Sequence, residues 1–511
     1  MNHDIVTEPT PAGHATYALA NCGLPCRDDN DAPPSASSAD IGSDPDTTSV
    51  TGTQAAPPRW MRFVGAGAMI AVGYMDPGNW ATDLAAGAQF GYALMSVVLL
   101  ASVAAMLLQW TASRVGLVTG RDLAQLCRDR FGPRTVRFLW IASEVAIIAC
   151  DVAEVVGSAV ALQLLLGVSL MVGVVLCAIG TVGLLALRRF GSRAIEIVVT
   201  ALILFVSASF AAQLAAAHPN WSAVAQGLIP TADLVRHAGM LWLAAGILGA
   251  TVMPHNLYLH SALVKRHVHD DTPAEGSSHW QSAATPYSGK VATMSIPSIP
   301  SPSVMAGASA TPAHASVAPH LIDRALRTVG IDTFASLTLA FLINGALLIL
   351  AAAVFHEAGL THIDDLADAH RLLSPLAGNS WSATLFAAAL LACGLNSTVT
   401  GTLAGQVVME GFMRWRLREW QRTLLTRALA LGPALLAVAW YGPQGSNRLL
   451  VASQVVLSMQ LPLAVIPLML FAQNRALMGR WAVRGIRGWL NWGITAAIVL
   501  LNGLLIVQFC Q

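Results

Sequence analysis

Two short stretches decide how this chain folds: Gly73-Tyr-Met-Asp-Pro-Gly-Asn79 and Met253-Pro-His-Asn256. Each lies in the middle of an apolar run long enough to cross a bilayer. Proline removes a backbone donor and glycine loosens the chain, so each run is expected to split into two half-helices. Backbone polar groups freed at bilayer depth persist only when buried in protein or lining a cavity. The residues beside the breaks offer a carboxylate, a carboxamide, a thioether and an imidazole. Such a set can bind a divalent transition metal.

Working outward, the chain has 511 residues, 55% of them apolar and 11% charged. Soluble domains carry about 25% charged residues, so the composition is that of a membrane protein. A formal net charge of +1 gives no footprint for nucleic acid. A spanning helix needs about 20 mostly apolar residues. Runs of that kind fall at 61–88, 91–113, 137–165, 169–187, 194–216, 238–263, 328–355, 381–411, 424–440, 449–472 and 489–509, eleven in all. Residues 1–57, rich in Asp, Ser, Pro and Thr, read as a disordered tail, and 58–511 as the transmembrane domain. The tail has no basic segment followed by an apolar one, so it is not a secretory signal. Residues 266–319 read as a disordered insert, with His267, His269, His279 and His314 at no ligand spacing. Cys22 and Cys26 lie in the tail; Cys127, Cys150, Cys177, Cys393 and Cys510 are scattered, and no disulfide framework is implied.

Basic residues alternate between connections. Arg114, Arg121, Arg128, Arg130, Arg134 and Arg137 follow the second run, and Arg188, Arg189 and Arg193 the fourth. Lys265 and Arg266 follow the sixth, Arg414, Arg416, Arg418 and Arg422 the eighth, and Arg475, Arg480, Arg484 and Arg487 the tenth. The intervening loops hold few, with Arg236, Arg371 and Arg448 as exceptions. The positive-inside rule then predicts a cytoplasmic N-terminus and, with eleven spans, an outer C-terminus in the cell (inner) membrane. Breaks in the first and sixth runs occupy corresponding places if spans one to five and six to ten are repeats. An odd repeat length makes the second repeat inverted, and paired broken helices in inverted repeats mark a transporter's midplane site.

Asp76 at bilayer depth must face a cation, a partner or water. Asp76 and Asn79 supply oxygens, the breaks expose carbonyls such as those of Gly73 and Ala250, and Met253 adds a soft sulfur. Mg²⁺ and Ca²⁺ prefer all-oxygen sites, so the thioether biases the set toward Mn²⁺, Fe²⁺ and softer ions. Gln454 in span ten is read as facing the site; Asp332 in span seven has no assignment. Glu144, Asp151 and Glu154 share one face of span three, a row suited to proton relay, with Arg427 of span nine as counter-charge. His255 and His260 extend the titratable set, although five residues apart they do not share a helix face. No His-Glu-x-x-His pair is present, so no metallohydrolase is expected.

The two breaks, together with Glu144 through Gly157, Gly249 through Ser261, Gly401 to Glu410, Ser453-Gln454 and Leu461-Pro462, resemble the Nramp family of proton-coupled divalent metal transporters, most closely its bacterial manganese members. The resemblance covers about residues 61–509 apart from the insert. It implies an all-α, LeuT-like fold of five-plus-five inverted repeats. It also implies a metal site from Asp76, Asn79, Met253 and the carbonyls of Gly73 and Ala250, proton movement through Asp76, Asp151 and Glu154, and import toward the cytoplasm. Metal ions and protons are the implied partners, as cargo rather than cofactor, with the lipid bilayer around them. The tail and insert lie outside the usual core, and Thr426-Arg427 align where the family often carries adjacent arginines. That difference motivates an alternative, a metal uniporter with uncoupled proton leak.

Overall fold

The computed structural model describes residues 66–509, apart from 187–191, 266–318, most of 416–445 and positions 362, 364, 365, 377 and 379. The tail, the insert except its last residue, and Arg427 therefore lie outside the described residues, as does most of span nine.

Every regular element described is helical. Span one consists of half-helices Ala66–Gly73 and Pro77–Phe90, and span six of Ala238–Val252 and Pro254–Val264. The unbroken spans are Met95–Thr119 (two), Pro133–Leu166 (three), Leu170–Ala186 (four), Ser192–Ala217 (five), Pro319–Ala351 (seven), Ser382–Met413 (eight), Ser446–Gln473 (ten) and Ile486–Phe509 (eleven). Among the described residues, eight helices are long and apolar enough to cross a membrane, with the broken sixth span counted as one. The divided first span and the shorter fourth complete the described part of the expected set. The fold is an all-α polytopic membrane fold.

Where helices overrun their apolar runs, local chemistry explains it. Span two continues to Thr119 and stops at Gly120, whose left-handed backbone (φ 66°) returns its N–H to the Gly116 carbonyl. A short helix, Leu123–Arg130, follows, opened by a capping box between Asp122 and Gln125. Span three begins earlier than its apolar run because Pro133 occupies the first turn, where a missing N–H costs nothing. Span seven, described from Pro319, closes in a π-helical turn, Ala352–His356.

The basic connections gather at one end of the bundle, and their side chains stitch it. Lys265, after span six, pairs with Asp122 at 2.7 Å. Arg128 donates to the Gly411 carbonyl at the end of span eight. Arg480 pairs with Asp323 of span seven at 2.6 Å. At this same end Asp332 accepts the Gly67 N–H at 2.6 Å. Asp332 thereby anchors the first described turn of span one to span seven. The perimeter is apolar, with Leu166, Ile179, Leu204, Leu342 and Leu500 exposed. That is the surface a hydrocarbon solvent requires.

Candidate metal centre

The two prolines create the site directly. In an unbroken helix residue i donates to the carbonyl of i−4. Pro77 and Pro254 have no N–H, so the carbonyls of Gly73 and Ala250 each lose their donor. Span one halts at Gly73, and the chain passes through Tyr74-Met75 before Asp76 caps the second half-helix. Span six halts at Val252, and Met253 adopts φ 40°, ψ 95° between the halves. A non-glycine residue there stores about 1–3 kcal/mol of strain, which the surrounding packing must hold.

The breaks touch. A Cβ on Gly73 would strike the Asn256 carboxamide, so only glycine permits this approach. Asp76 Oδ1 accepts the Asn79 N–H at 3.0 Å and Asn79 Nδ2 at 2.8 Å. Asn79 Nδ2 also lies 3.2 Å from the freed Ala250 carbonyl and 2.9 Å from that of Tyr74. Asp76 Oδ2 faces Gln454 Nε2 of span ten at 3.4 Å. Asn256 Nδ2 donates to Met253 Sδ at 3.3 Å. Asp76, Asn79, Ala250, Met253, Asn256 and Gln454 are all 0% exposed, so the site is buried within the protein. Three carboxamide oxygens there, Asn79 Oδ1, Asn256 Oδ1 and Gln454 Oε1, have no hydrogen-bond partner among the described residues. Orphaned buried acceptors beside a carboxylate and a thioether are a donor set in want of a cation.

The titratable groups divide into sets. Asp151 and Glu154 sit together on span three, facing Gly401 of span eight, where a Cβ would stand 3.1 Å from an oxygen of each. Cys150 Sγ lies 3.9 Å from Glu154 Oε1 and 3.9 Å from His255 Nε2, linking the acidic pair to span six. Glu144 stands apart, half-buried, accepting from Trp140 Nε1 at 3.0 Å. His260 points elsewhere, as its spacing from His255 requires. Its Nδ1 is 3.0 Å from Gln109 Oε1 of span two, and Gln109 Nε2 donates to Tyr74 Oη at 2.7 Å. That chain ties both broken helices to span two. Asn344 of span seven donates to the Tyr74 carbonyl at 3.0 Å.

Tyr74, Gln109, Cys150, Asn256 and Asn344 were not assigned from the sequence. The carboxamides had a signal, since a lone Gln or Asn deep in an apolar run needs a partner. Tyr74 and Cys150 had none, because both residue types fill apolar cores.

Two broken helices meeting at a buried, polar site, inside a LeuT-like bundle, define a membrane transporter. The chain belongs to the Nramp family: the family profile described as "Natural resistance-associated macrophage protein-like" matches residues 67–508. A relative from Xanthomonas campestris pv. campestris named "Divalent metal cation transporter MntH" is 46% identical over 457 residues, covering 88% of this chain and 91% of the relative. Pseudomonas aeruginosa "Divalent metal cation transporter MntH 1" is 46% identical over 440 residues, covering 86% and 90%. The crystal structure of the Eremococcus coleocola manganese transporter superposes with a TM-score of 0.71 at 33% identity, covering 88% of this chain and 86% of that one. Mhp1, a nucleobase-cation-symport-1 family transporter, matches with a TM-score of 0.51 at 13% identity, covering 86% and 89%, a likeness of fold alone.

Proposed function

We propose that this chain imports a divalent transition metal, Mn²⁺ and also Fe²⁺, together with protons by alternating access. The observation that carries the reading is the buried convergence of Asp76, the freed Ala250 carbonyl, the Met253 sulfur and three unpartnered carboxamide oxygens. In the state described, Asn79 Nδ2 shields the Asp76 and Ala250 oxygens. An arriving cation takes those oxygens over, and a turn of the Asn79 amide offers its own Oδ1. The Asp76 charge meets the dication, and the thioether favours a softer ion over Ca²⁺. The Asp151–Glu154 pair carries protons beside the metal rather than through it. His255 faces this pair through Cys150. Glu144 lies about 10 Å farther toward the basic end by helical rise, a step beyond the pair. Arg427 serves as their counter-charge.

The basic end of the bundle faces the cytoplasm of a cell membrane, with the N-terminus inside and the C-terminus outside. The roles of Gly73, Gln454 and His260 follow their places: a freed carbonyl, a carboxamide opposite Asp76, and a tie between span six and span two. The chain acts as a carrier, not an enzyme.

Reconstituted liposomes test the coupling. Mn²⁺ uptake should rise with an inward acidic gradient, and metal should drive measurable proton flux. Uptake indifferent to the gradient would leave a metal carrier without proton coupling. Met253 is tested by selectivity. Met253→Ala should retain Mn²⁺ uptake at reduced affinity and admit Ca²⁺ in competition, because the remaining donors are all oxygen. If Ca²⁺ remains excluded, the sulfur is not the selective element.

A further inference from the structure

Asp83 is a buried carboxylate outside the metal centre. It lies on the second half of span one, seven residues beyond Asp76, and is 1% exposed. Its Oδ2 has no hydrogen-bond partner among the described residues. At 1.5 Å per residue it stands about 10 Å from Asp76 along the helix, away from the basic end. Seven residues also return it to nearly the same helix face.

The layers around Asp83 are specific. One turn earlier, Trp80 packs against Phe210 of span five (ring centroids 4.8 Å) and Phe386 of span eight (5.2 Å), an aromatic floor between Asp83 and Asp76. One turn later, Gly87 crosses span seven so closely that a Cβ would lie 2.7 Å from that of Ala351. Asp83 is thus enclosed by protein in the membrane interior. The neighbouring elements bring other titratable groups to this helix, and each is placed elsewhere. Span six brings none within Ala238–Val252, and Arg448 at the start of span ten is exposed. Cys393 of span eight lies against Trp80. His356 bonds the Ala88 carbonyl at 3.0 Å, and Glu357 accepts from Tyr92 at 2.9 Å. Asp151 and Glu154 of span three face Gly401. No ion pair to Asp83 is found among the described residues.

Gln213 of span five is a second unsatisfied group at this depth. It is 0% exposed, and its Oε1 has no partner among the described residues. It stands one turn beyond Phe210, as Asp83 stands one turn beyond Trp80, and both helices run away from the basic end. Among the described residues this depth therefore holds two unpartnered buried acceptors, with the Trp80 Nε1 donor one turn earlier also unpartnered. A proton on Asp83 adds a donor at this depth and removes a bare charge from a low-dielectric interior.

We propose that Asp83 is a proton-binding station of the transport cycle, on the uptake side of the metal site. It rests on the proton-coupled reading above. The step is a simple proton transfer: an Asp83 carboxylate oxygen gains a proton from the uptake side and later releases it as the cycle proceeds. Asp83→Asn keeps the size and supplies a permanent amide donor, so the fold should persist; Asp83→Glu keeps a titratable carboxyl.

The experiment measures Mn²⁺ uptake and metal-driven proton flux in liposomes across the pH of the uptake side, with thermal unfolding as a check of folding. Asp83→Asn should flatten the pH dependence several-fold and lower the protons moved per metal, with the Mn²⁺ KM at acid pH nearly unchanged. Asp83→Glu should restore a pH-dependent profile. Wild-type flux with an unchanged profile in folded Asp83→Asn overturns the Asp83 proposal alone. Absence of metal-driven proton flux in the wild type overturns the coupled reading and this proposal together. A KM rise with an unchanged pH profile assigns Asp83 to structure and also overturns it.

Discussion

Asp76→Asn should leave the protein folded and stop metal uptake. The two results separate because Asp76 has two tasks. Its Oδ1 caps the second half of span one by accepting the Asn79 N–H at 3.0 Å. Asparagine caps helices about as well as aspartate, so this task survives the change. Its charge does not survive, and it is the one carboxylate among the candidate ligands. Losing an outer-shell partner of a metal site costs about 10–100-fold in affinity, so losing a charged ligand should cost at least about 100-fold. Isothermal titration with Mn²⁺ and uptake in liposomes would read this directly. Asp76→Ala should lose binding too, with an added stability cost of about 1 kcal/mol for the missing cap. Mn²⁺ binding to folded Asp76→Asn at near wild-type affinity would remove Asp76 from the site.

Gly249→Ala should destabilise the fold and impair transport together. A Cβ on Gly249 would strike the Gln454 carbonyl and lie 2.6 Å from the Ser458 backbone nitrogen. Both obstacles are backbone, so no rotamer change relieves them. Spans six and ten must separate, at a cost of about 1–3 kcal/mol for overpacking. Separation also carries Gln454 away from Asp76, whose Oδ2 it approaches at 3.4 Å. Gly503→Ala in span eleven is the control, since nothing lies within 4 Å of its added Cβ. Alanine there should be neutral or stabilising by about 0.5–1 kcal/mol through helix propensity. Equal melting temperatures for the two variants would refute the close-packing account.

Much of the site was legible in the sequence because its cause is local. Proline at 77 and 254 frees the carbonyls of Gly73 and Ala250 whatever the helices pack against. Asp76, Asn79, Met253 and Gln454 stood out as polar or soft groups in apolar runs. Tyr74 and Cys150 did not, since neither residue type conflicts with a lipid-buried helix. Their roles arise from what they face, Gln109 and the Glu154–His255 gap. Within its own helix Asp332 accepts a long hydrogen bond from Ser336 Oγ at 3.4 Å; the Gly67 amide it holds at 2.6 Å is 265 residues away, beyond the reach of any local pattern. The face shared by Glu144, Asp151 and Glu154 was readable from spacing. Periodicity could not tell that only the last two gather at Gly401.

The sequence by itself determined the spans, the two breaks, the basic end and the donor types at the breaks. Those follow from hydropathy, backbone donors and charge, which act over a few residues. Tertiary structure decided which donors meet, which carboxamide oxygens stay unpartnered, and which buried carboxylates sit near one another. Those depend on helix rotation and crossing distance, set by close contacts such as Gly73 on Asn256 and Gly249 on span ten. A run of twenty apolar residues specifies a helix that crosses the membrane. Its neighbours specify which way each side chain turns.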